Sequence, residues 1–114
     1  MSLKHIPSNE KMKEQVIEQL QTIYDPELPV NIYDLGLIYD VECKTDDATR
    51  LKVCIITMTL TSATCSMSEM IVDLVRSLSS RIEFLENVEV NLVFDPPWSQ
   101  EKMSDEAKLS MGFL

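Results

Sequence analysis

The stretch TLTSATCSM, residues 59–67, joins two different hydrophobic patterns. Residues 53–60 are apolar and rich in β-branched side chains, which is typical of a buried strand. From position 67 to position 78, apolar residues recur at the spacing of one helix face. The stretch is therefore predicted to be a strand-to-helix turn, and it carries one thiol, Cys65, to the first turn of the helix.

The predicted position of Cys65 favours a reactive thiol. Backbone N–H groups and the positive end of the helix dipole stabilise negative charge at a helix start. A cysteine there tends to ionise below the ordinary thiol pKa of about 8.5, and the thiolate is the form that attacks or ligates. The alternative is a cysteine that fills a small apolar gap, since free cysteine is among the most buried residue types. The spacing alone leaves both interpretations open.

Length and composition narrow the class of protein. The 114 residues suit one domain, residues 1–114, with a core over about 9–112, and 45% of them are hydrophobic. The net charge of −9 argues against binding to nucleic acid or to an anionic membrane surface. No apolar run approaches the roughly 20 residues of a membrane span, and the N-terminus has no secretory signal pattern. We therefore expect a cytoplasmic protein.

The three cysteines are spaced eleven residues apart, and no CxxC occurs. This spacing argues against a disulfide framework and against a self-contained zinc site. Cys54 is predicted to pack in the core within a strand, and Cys43, next to a hairpin connection, to be incidental. His5 is the single histidine and lies before the first helix, which disfavours a Cys–His nucleophile pair.

The first half of the chain predicts one helix and two strands. The helix begins with Ser8 or Asn9 as its cap and ends near Tyr24. Residues 37–42 are predicted as the first strand and residues 51–60 as the second, with a polar hairpin connection between them.

The remaining elements complete an α+β domain. Residues 88–94 alternate at period two and predict a third strand, and Ser104 is predicted to cap a short terminal helix. Strands one and two should pair as a hairpin, whereas strands two and three should lie parallel because a helix joins them. The result is a two-layer fold with a small mixed three-stranded sheet. Loops and the terminal segment, or a second subunit in a homodimer, would cover the other face.

Two loops add candidate site residues. In DPELP, residues 25–29, two prolines hold Asp25 and Glu27 in a loop of low entropy, although such a segment is also typical of a solvated turn. Asp34 is predicted to cap the next turn, and Gly36 to occupy a position closed to a side chain.

A second group of candidates follows from strand topology. The C-terminal ends of parallel strands share one edge, so Asp95 and Trp98 are predicted to lie near Cys65, at the edge where ligands bind in such sheets. The more favoured interpretation of Trp98 is a lid packed on the core, with ligand stacking as the alternative.

The same segments resemble the SufT/PaaD-like family of iron–sulfur assembly domains over nearly the whole chain. That family includes eukaryotic cytosolic iron–sulfur targeting factors and the N-terminal domain of Mrp-type cluster carriers. The matching residues are 25–32 (DPELPVNI), 34–39 (DLGLIY), 59–61 (TLT) with Cys65, 95–98 (DPPW), and Met103, Ser104, Ala107 and Gly112. The family's usual TAPGCP pattern reads TSATCS here, residues 61–66, without its proline and glycine. With no cysteine-rich extension at its end, the chain is most similar to stand-alone SufT.

The resemblance implies a role in the maturation of iron–sulfur proteins. It maps the family's functional cysteine to Cys65 and its acidic loop residue to Glu27; Asp25, Thr61 and Trp98 complete the expected binding residues. A cluster normally takes four ligands, and one thiol per chain holds it weakly. We therefore expect a transient cluster or iron at Cys65 and Glu27, none tightly bound, and partners among assembly proteins and apo-clients. The alternatives are a metal-free adaptor and a thiol or persulfide carrier, and no enzyme activity is expected.

Overall fold

The computed structural model describes residues 6–24, 28–61 and 68–112. In chain order these residues form helix α1 (Asn9–Leu20), strands β1 (Ile38–Thr45) and β2 (Lys52–Met58), helix α2 (Ser68–Arg76), strand β3 (Leu85–Leu92) and helix α3 (Asp105–Ser110). Short 3₁₀ helices follow α2 at Ser77–Ser80 and precede α3 at Gln100–Lys102.

Helix α1 begins as predicted but ends earlier. The Ser8 side chain accepts a hydrogen bond from the Lys11 N–H, which makes Ser8 the N-cap. The helix ends at Leu20, whereas the hydrophobic spacing predicted an end near Tyr24. The Thr22 hydroxyl donates to the Gln19 carbonyl at 2.6 Å and satisfies a terminal helix acceptor. Ile23 is buried although it lies after the end of the helix, so the hydrophobic spacing extends further along the chain than the helix does.

The predicted mixed sheet is confirmed. Its order is β1-β2-β3, with β1 and β2 antiparallel and β2 and β3 parallel. Helix α1 packs on β1 and helix α2 packs on β3, so the domain is an α+β fold. On the opposite face, half-buried Val53, Ile55 and Thr57 form the central row. A second subunit on that face stays a prediction.

The ends of β1 and β3 differ from the predicted ends, and the turns that follow β1 and precede β3 each hold a residue with positive φ. Strand β1 runs on to Thr45, and the hairpin turn holds Arg50 at φ +66°. Strand β3 begins at Leu85 and ends at Leu92, earlier than the predicted residues 88–94. Phe84 adopts φ +70° just before it, and its carbonyl accepts the Lys52 N–H at 2.8 Å. Positive φ is uncommon for a bulky residue, so the sequence pattern does not anticipate this entry.

The core lies between the sheet and the helices. Its fully buried members come from every layer and include Met12, Val16, Ile56, Met58 and Ile71. Lys52 is also buried on this side, where its Nζ donates to Asn9 Oδ1 at 2.8 Å and to Thr45 Oγ1 at 2.7 Å. These two bonds offset part of the cost of burying the ammonium group.

The prediction against a disulfide was wrong. Cys43 and Cys54 face each other directly in the β1–β2 register, with their Cα atoms 4.2 Å apart, and the structure joins them in a disulfide. Directly opposite positions of antiparallel strands bring side chains close enough for this bond. The prediction failed because it judged the spacing along the chain without the register. Both residues point into the core, so Cys43 is not an incidental surface residue.

The segment after β3 returns across the start of β1. Tyr39 donates its hydroxyl to the Pro96 carbonyl at 2.7 Å, and the Lys102 ammonium lies 5.0 Å from the centre of the Tyr39 ring. Gly36, at φ +83°, lies against the Lys102 backbone, which confirms that its position is closed to a side chain. Among the described residues, no helix is both long and apolar enough to cross a membrane.

Candidate functional site

Backbone contacts hold together the two segments that flank the loop with Asp25 and Glu27. We call these flanking segments the root of that loop. Tyr24 and Asn31 form an isolated antiparallel bridge, and the Ile32 N–H donates to the Ile23 carbonyl at 2.8 Å. These contacts hold the two ends of the loop together. Asp25 and Glu27 themselves lie outside the described residues.

The turn that contains Cys65 leaves from the C-terminal end of β2. There the Thr59 N–H donates to the Leu37 carbonyl at 2.8 Å, and the Leu37 N–H donates to the Ile32 carbonyl at 3.2 Å. Together with the Ile32–Ile23 bond, these hydrogen bonds connect the root of the acidic loop with Thr59, which we take as the root of the Cys65 segment. The turn itself, residues 62–67, lies outside the described residues, and Cys65 with it.

The turn between the two roots is held by an asparagine that the sequence patterns did not single out. The Asn31 side chain is buried, accepts the Asp34 N–H at 2.8 Å, and donates to an Asp34 carboxylate oxygen at 2.9 Å. Asp34 was predicted to cap this turn, but the capping oxygen is that of Asn31. Asparagine is among the residues preferred at a cap that accepts the N–H three residues on, and this preference is the local signal that could have found it.

Two threonines mark the end of β2. Thr61 is 5% exposed and is the last described residue before the Cys65 turn, so it lies beside the predicted site. Thr59 is 1% exposed, and its Oγ1 has no hydrogen-bond partner among the described residues. Buried hydroxyls without partners are rare and costly.

Trp98 lies at the predicted edge of the sheet. The Val93 N–H donates to the Met58 carbonyl at 2.8 Å, so the chain leaves β3 beside the end of β2 and continues through Asp95. The half-buried Trp98 packs against the core, and its indole N–H donates to the Leu35 carbonyl at 2.7 Å. This is the arrangement of a lid on the core. Its polar atom is used within the fold, and a binding role for Trp98 stays a prediction.

A polar cavity lies beside the root of the acidic loop. It has a volume of about 240 Å³, and its walls bring Tyr24, Asn31 and Asp34 together with Glu106 of α3. The sequence patterns did not connect α3 with this loop. The two acidic side chains make the cavity suited to cationic or hydrogen-bond-donating groups. Within the described ranges, no three His, Cys, Asp or Glu residues cluster as metal ligands.

Comparison with known proteins identifies relatives over most of the chain. Residues 13–92 match the family model for iron-sulfur cluster assembly proteins. The chain is 40% identical over 102 residues to the Fe-S protein maturation auxiliary factor of Porphyromonas gingivalis, covering 90% of this chain and 92% of that protein. It is 41% identical over 90 residues to the Fe-S protein maturation auxiliary factor SufT of Staphylococcus aureus, covering 79% of this chain and 97% of that protein.

A solved structure with a similar sequence has the same fold. The crystal structure of a domain of unknown function, DUF59, from Bacillus anthracis superposes with a TM-score of 0.80 at 38% identity, covering 93% of this chain and 96% of that one. Fold, motif order and identity agree, and the resemblance to SufT-like proteins is confirmed. The chain therefore belongs to the iron–sulfur cluster assembly protein family.

Proposed function

We propose that this protein is a maturation factor that passes iron–sulfur clusters to client proteins through the thiol of Cys65, with Glu27 as a second, weaker ligand or base. The family and the names of its relatives support the maturation role. The cluster is cargo, and the protein acts as a transfer factor and not as an enzyme.

The observation that supports this mechanism is the hydrogen-bonded connection between the two loop roots. The described residues that flank positions 25–27 and 62–67 are connected, because Ile23, Ile32, Leu37 and Thr59 are linked in series by backbone hydrogen bonds. A thiol and a carboxylate on these two loops would have only short spans to cross to reach one cargo.

The ligand chemistry suits transfer better than storage. Thiolate is the standard ligand of iron–sulfur clusters, and a carboxylate oxygen exchanges more readily. The Cys43–Cys54 disulfide leaves Cys65 as the one free thiol among the three cysteines. Further ligands must therefore come from a client, an assembly partner or a small thiol, and completion of the ligand set by a client would draw the cluster away.

Anaerobic reconstitution with iron and sulfide tests the ligand assignment. We expect the wild-type protein to acquire visible cluster absorption that a chelator removes quickly. Cys65→Ser should lose it, and Glu27→Gln should shorten its lifetime. The control is the double variant Cys43→Ser with Cys54→Ser, which keeps Cys65 and should bind cluster as the wild type does. Equal cluster content in Cys65→Ser and wild type would contradict the proposal and favour a metal-free adaptor.

A further inference from the structure

The outer edge of β3 has no strand partner among the described residues. In the sheet order β1-β2-β3, no described strand pairs with the side of β3 that faces away from β2. In a parallel strand, the backbone groups of successive residues point alternately towards the two neighbouring strand positions. The Val93 N–H points towards β2, where it donates to the Met58 carbonyl. The amides of Val88, Val90 and Leu92 therefore point outward. Such an edge is a template for an added strand.

A groove with both charged and apolar walls adjoins this edge. It lies between the outer face of α2 and the end of β3, with a volume of about 380 Å³, and Val72 and Leu92 form its apolar walls. Leu92 is 36% exposed, and Met70 and Phe94, near the same ends of α2 and β3, are 41% and 57% exposed. The groove can therefore take an apolar side chain from an added strand.

Charge around the edge selects the kind of partner. Glu69 and Asp73 line the groove on the α2 side together with Arg76, and the exposed Glu89 projects from the opposite face of β3. Two copies of β3 paired antiparallel about a two-fold axis, and centred on residues 88–90, would place their Glu89 carboxylates opposite or diagonal to one another. Like charges so placed are destabilising. A second copy is therefore a poor occupant, and a basic segment is a good one.

We propose that β3 binds an extended, lysine- or arginine-bearing segment of a client protein as a fourth strand, with one apolar side chain in the groove between α2 and Leu92. The inference rests on the proposed function and specifies its partner. Because α2 includes Ser68, three residues after Cys65 in the sequence, a segment bound here would bring the client to the end of the sheet at which β2 leads into the Cys65 segment. Backbone pairing would supply affinity, and the acidic flanks would supply selectivity.

Binding of two synthetic peptides tests the proposal. One alternates valine and lysine, and the other alternates valine and glutamate. We expect the lysine peptide to bind the full-length protein and to slow hydrogen exchange at the amides of Val88, Val90 and Leu92, while the glutamate peptide does neither. Unchanged exchange at these amides in saturating lysine peptide would overturn the proposal. Protection of the same amides by self-association, measured as a dimer by light scattering, would also overturn it.

Charge-reversal variants test whether peptide binding depends on the charges near β3 or on the overall negative charge of the protein. Asp73→Lys combined with Glu89→Lys should weaken binding of the lysine peptide by about tenfold, because it replaces two attractive surface contacts with repulsive ones. The control is Glu14→Lys combined with Glu18→Lys on the exposed side of α1, which makes the same change in net charge and should leave affinity nearly unchanged. An equal loss of peptide affinity in both double variants would contradict a binding site at β3.

Cluster delivery distinguishes failure of this inference from failure of the proposed function. The Asp73 and Glu89 double variant should slow delivery to a client while leaving the alkylation rate of Cys65 unchanged. If that variant delivers normally while Cys65→Ser does not, the docking surface is wrong and the thiol mechanism stands. If Cys65→Ser delivers normally, the thiol mechanism is wrong, whatever the peptides show.

Discussion

The backbone N–H of Thr59 donates a hydrogen bond to the carbonyl of Leu37 at 2.8 Å. Thr59 follows β2, and Leu37 lies just before β1, so this bond extends the pairing of the two strands beyond their regular ends. It also connects the segment that leads to the Cys65 turn with the segment that closes the acidic loop. The described segments that flank the two candidate loops are therefore joined by backbone hydrogen bonds.

We predict that Gly36→Ala destabilises the protein by about 2–4 kcal/mol. A left-handed backbone costs an alanine about 1–2 kcal/mol, and overlap of the new Cβ with the Lys102 backbone adds a similar amount. The free energy of unfolding in urea measures the loss.

Gly112 provides a matched control for this substitution. Its φ of +82° is nearly the same as that of Gly36, but a Cβ there meets nothing within 4 Å. Gly112→Ala should therefore cost only the backbone part, about 1 kcal/mol. Equal losses in the two variants would mean that close packing against Lys102 contributes nothing.

Replacing Thr59 with valine should stabilise the protein by about 1 kcal/mol. Valine has nearly the same shape and removes a buried hydroxyl for which the described part of the chain offers no hydrogen-bond partner. Thr57→Val, at a half-buried position near the end of β2, should change stability by less than about 0.5 kcal/mol. A loss of stability in Thr59→Val, measured by urea unfolding, would show that the hydroxyl makes a bond the structure does not contain.

Trp98→Phe should destabilise the protein by about 1–3 kcal/mol. The substitution removes the indole N–H and leaves the carbonyl of the buried Leu35 without this donor. Tyr39→Phe is the comparison, because its hydroxyl bond to Pro96 is solvent-exposed and its loss should cost under about 1 kcal/mol. Equal effects on thermal unfolding would contradict an anchoring role for the indole N–H.

Alkylation of the protein in denaturant should label one cysteine per chain without reductant and three with it, whereas the folded protein, in which Cys43 and Cys54 are buried, is used for the pH dependence. Cys43 and Cys54 are joined in the structure, which leaves Cys65 to react with iodoacetamide. If the helix start stabilises its thiolate, the pH dependence of that reaction should give an apparent pKa below about 8.5. Intact-protein mass spectrometry measures the labels; three labels without reductant would contradict the disulfide.

The sequence predicted the fold class because the strong patterns were local. Helical spacing identified α2, alternation identified β3, and the helix between β2 and β3 implied their parallel pairing. These features depend on residues close together in the chain, where hydrophobic periodicity is most informative. The assignment of the DPELP and TLT motifs to the candidate site stays a prediction.

Features that depend on contacts between distant segments were missed. The Cys43–Cys54 pairing depends on strand register, and the approach of Glu106 to Asn31 depends on where α3 packs. The early start of β3 depends on the positive φ of Phe84, which its residue type does not favour. Patterns along the chain carry little information about any of these.

The most direct test of the proposed mechanism is the activation of an apo-enzyme that needs an iron–sulfur cluster, measured anaerobically with cluster-loaded protein as donor. We predict that the wild type and the Cys43→Ser, Cys54→Ser double variant activate the client at similar rates. Cys65→Ser should fall to the rate given by iron and sulfide alone. Activation by Cys65→Ser at the wild-type rate would contradict delivery through this thiol.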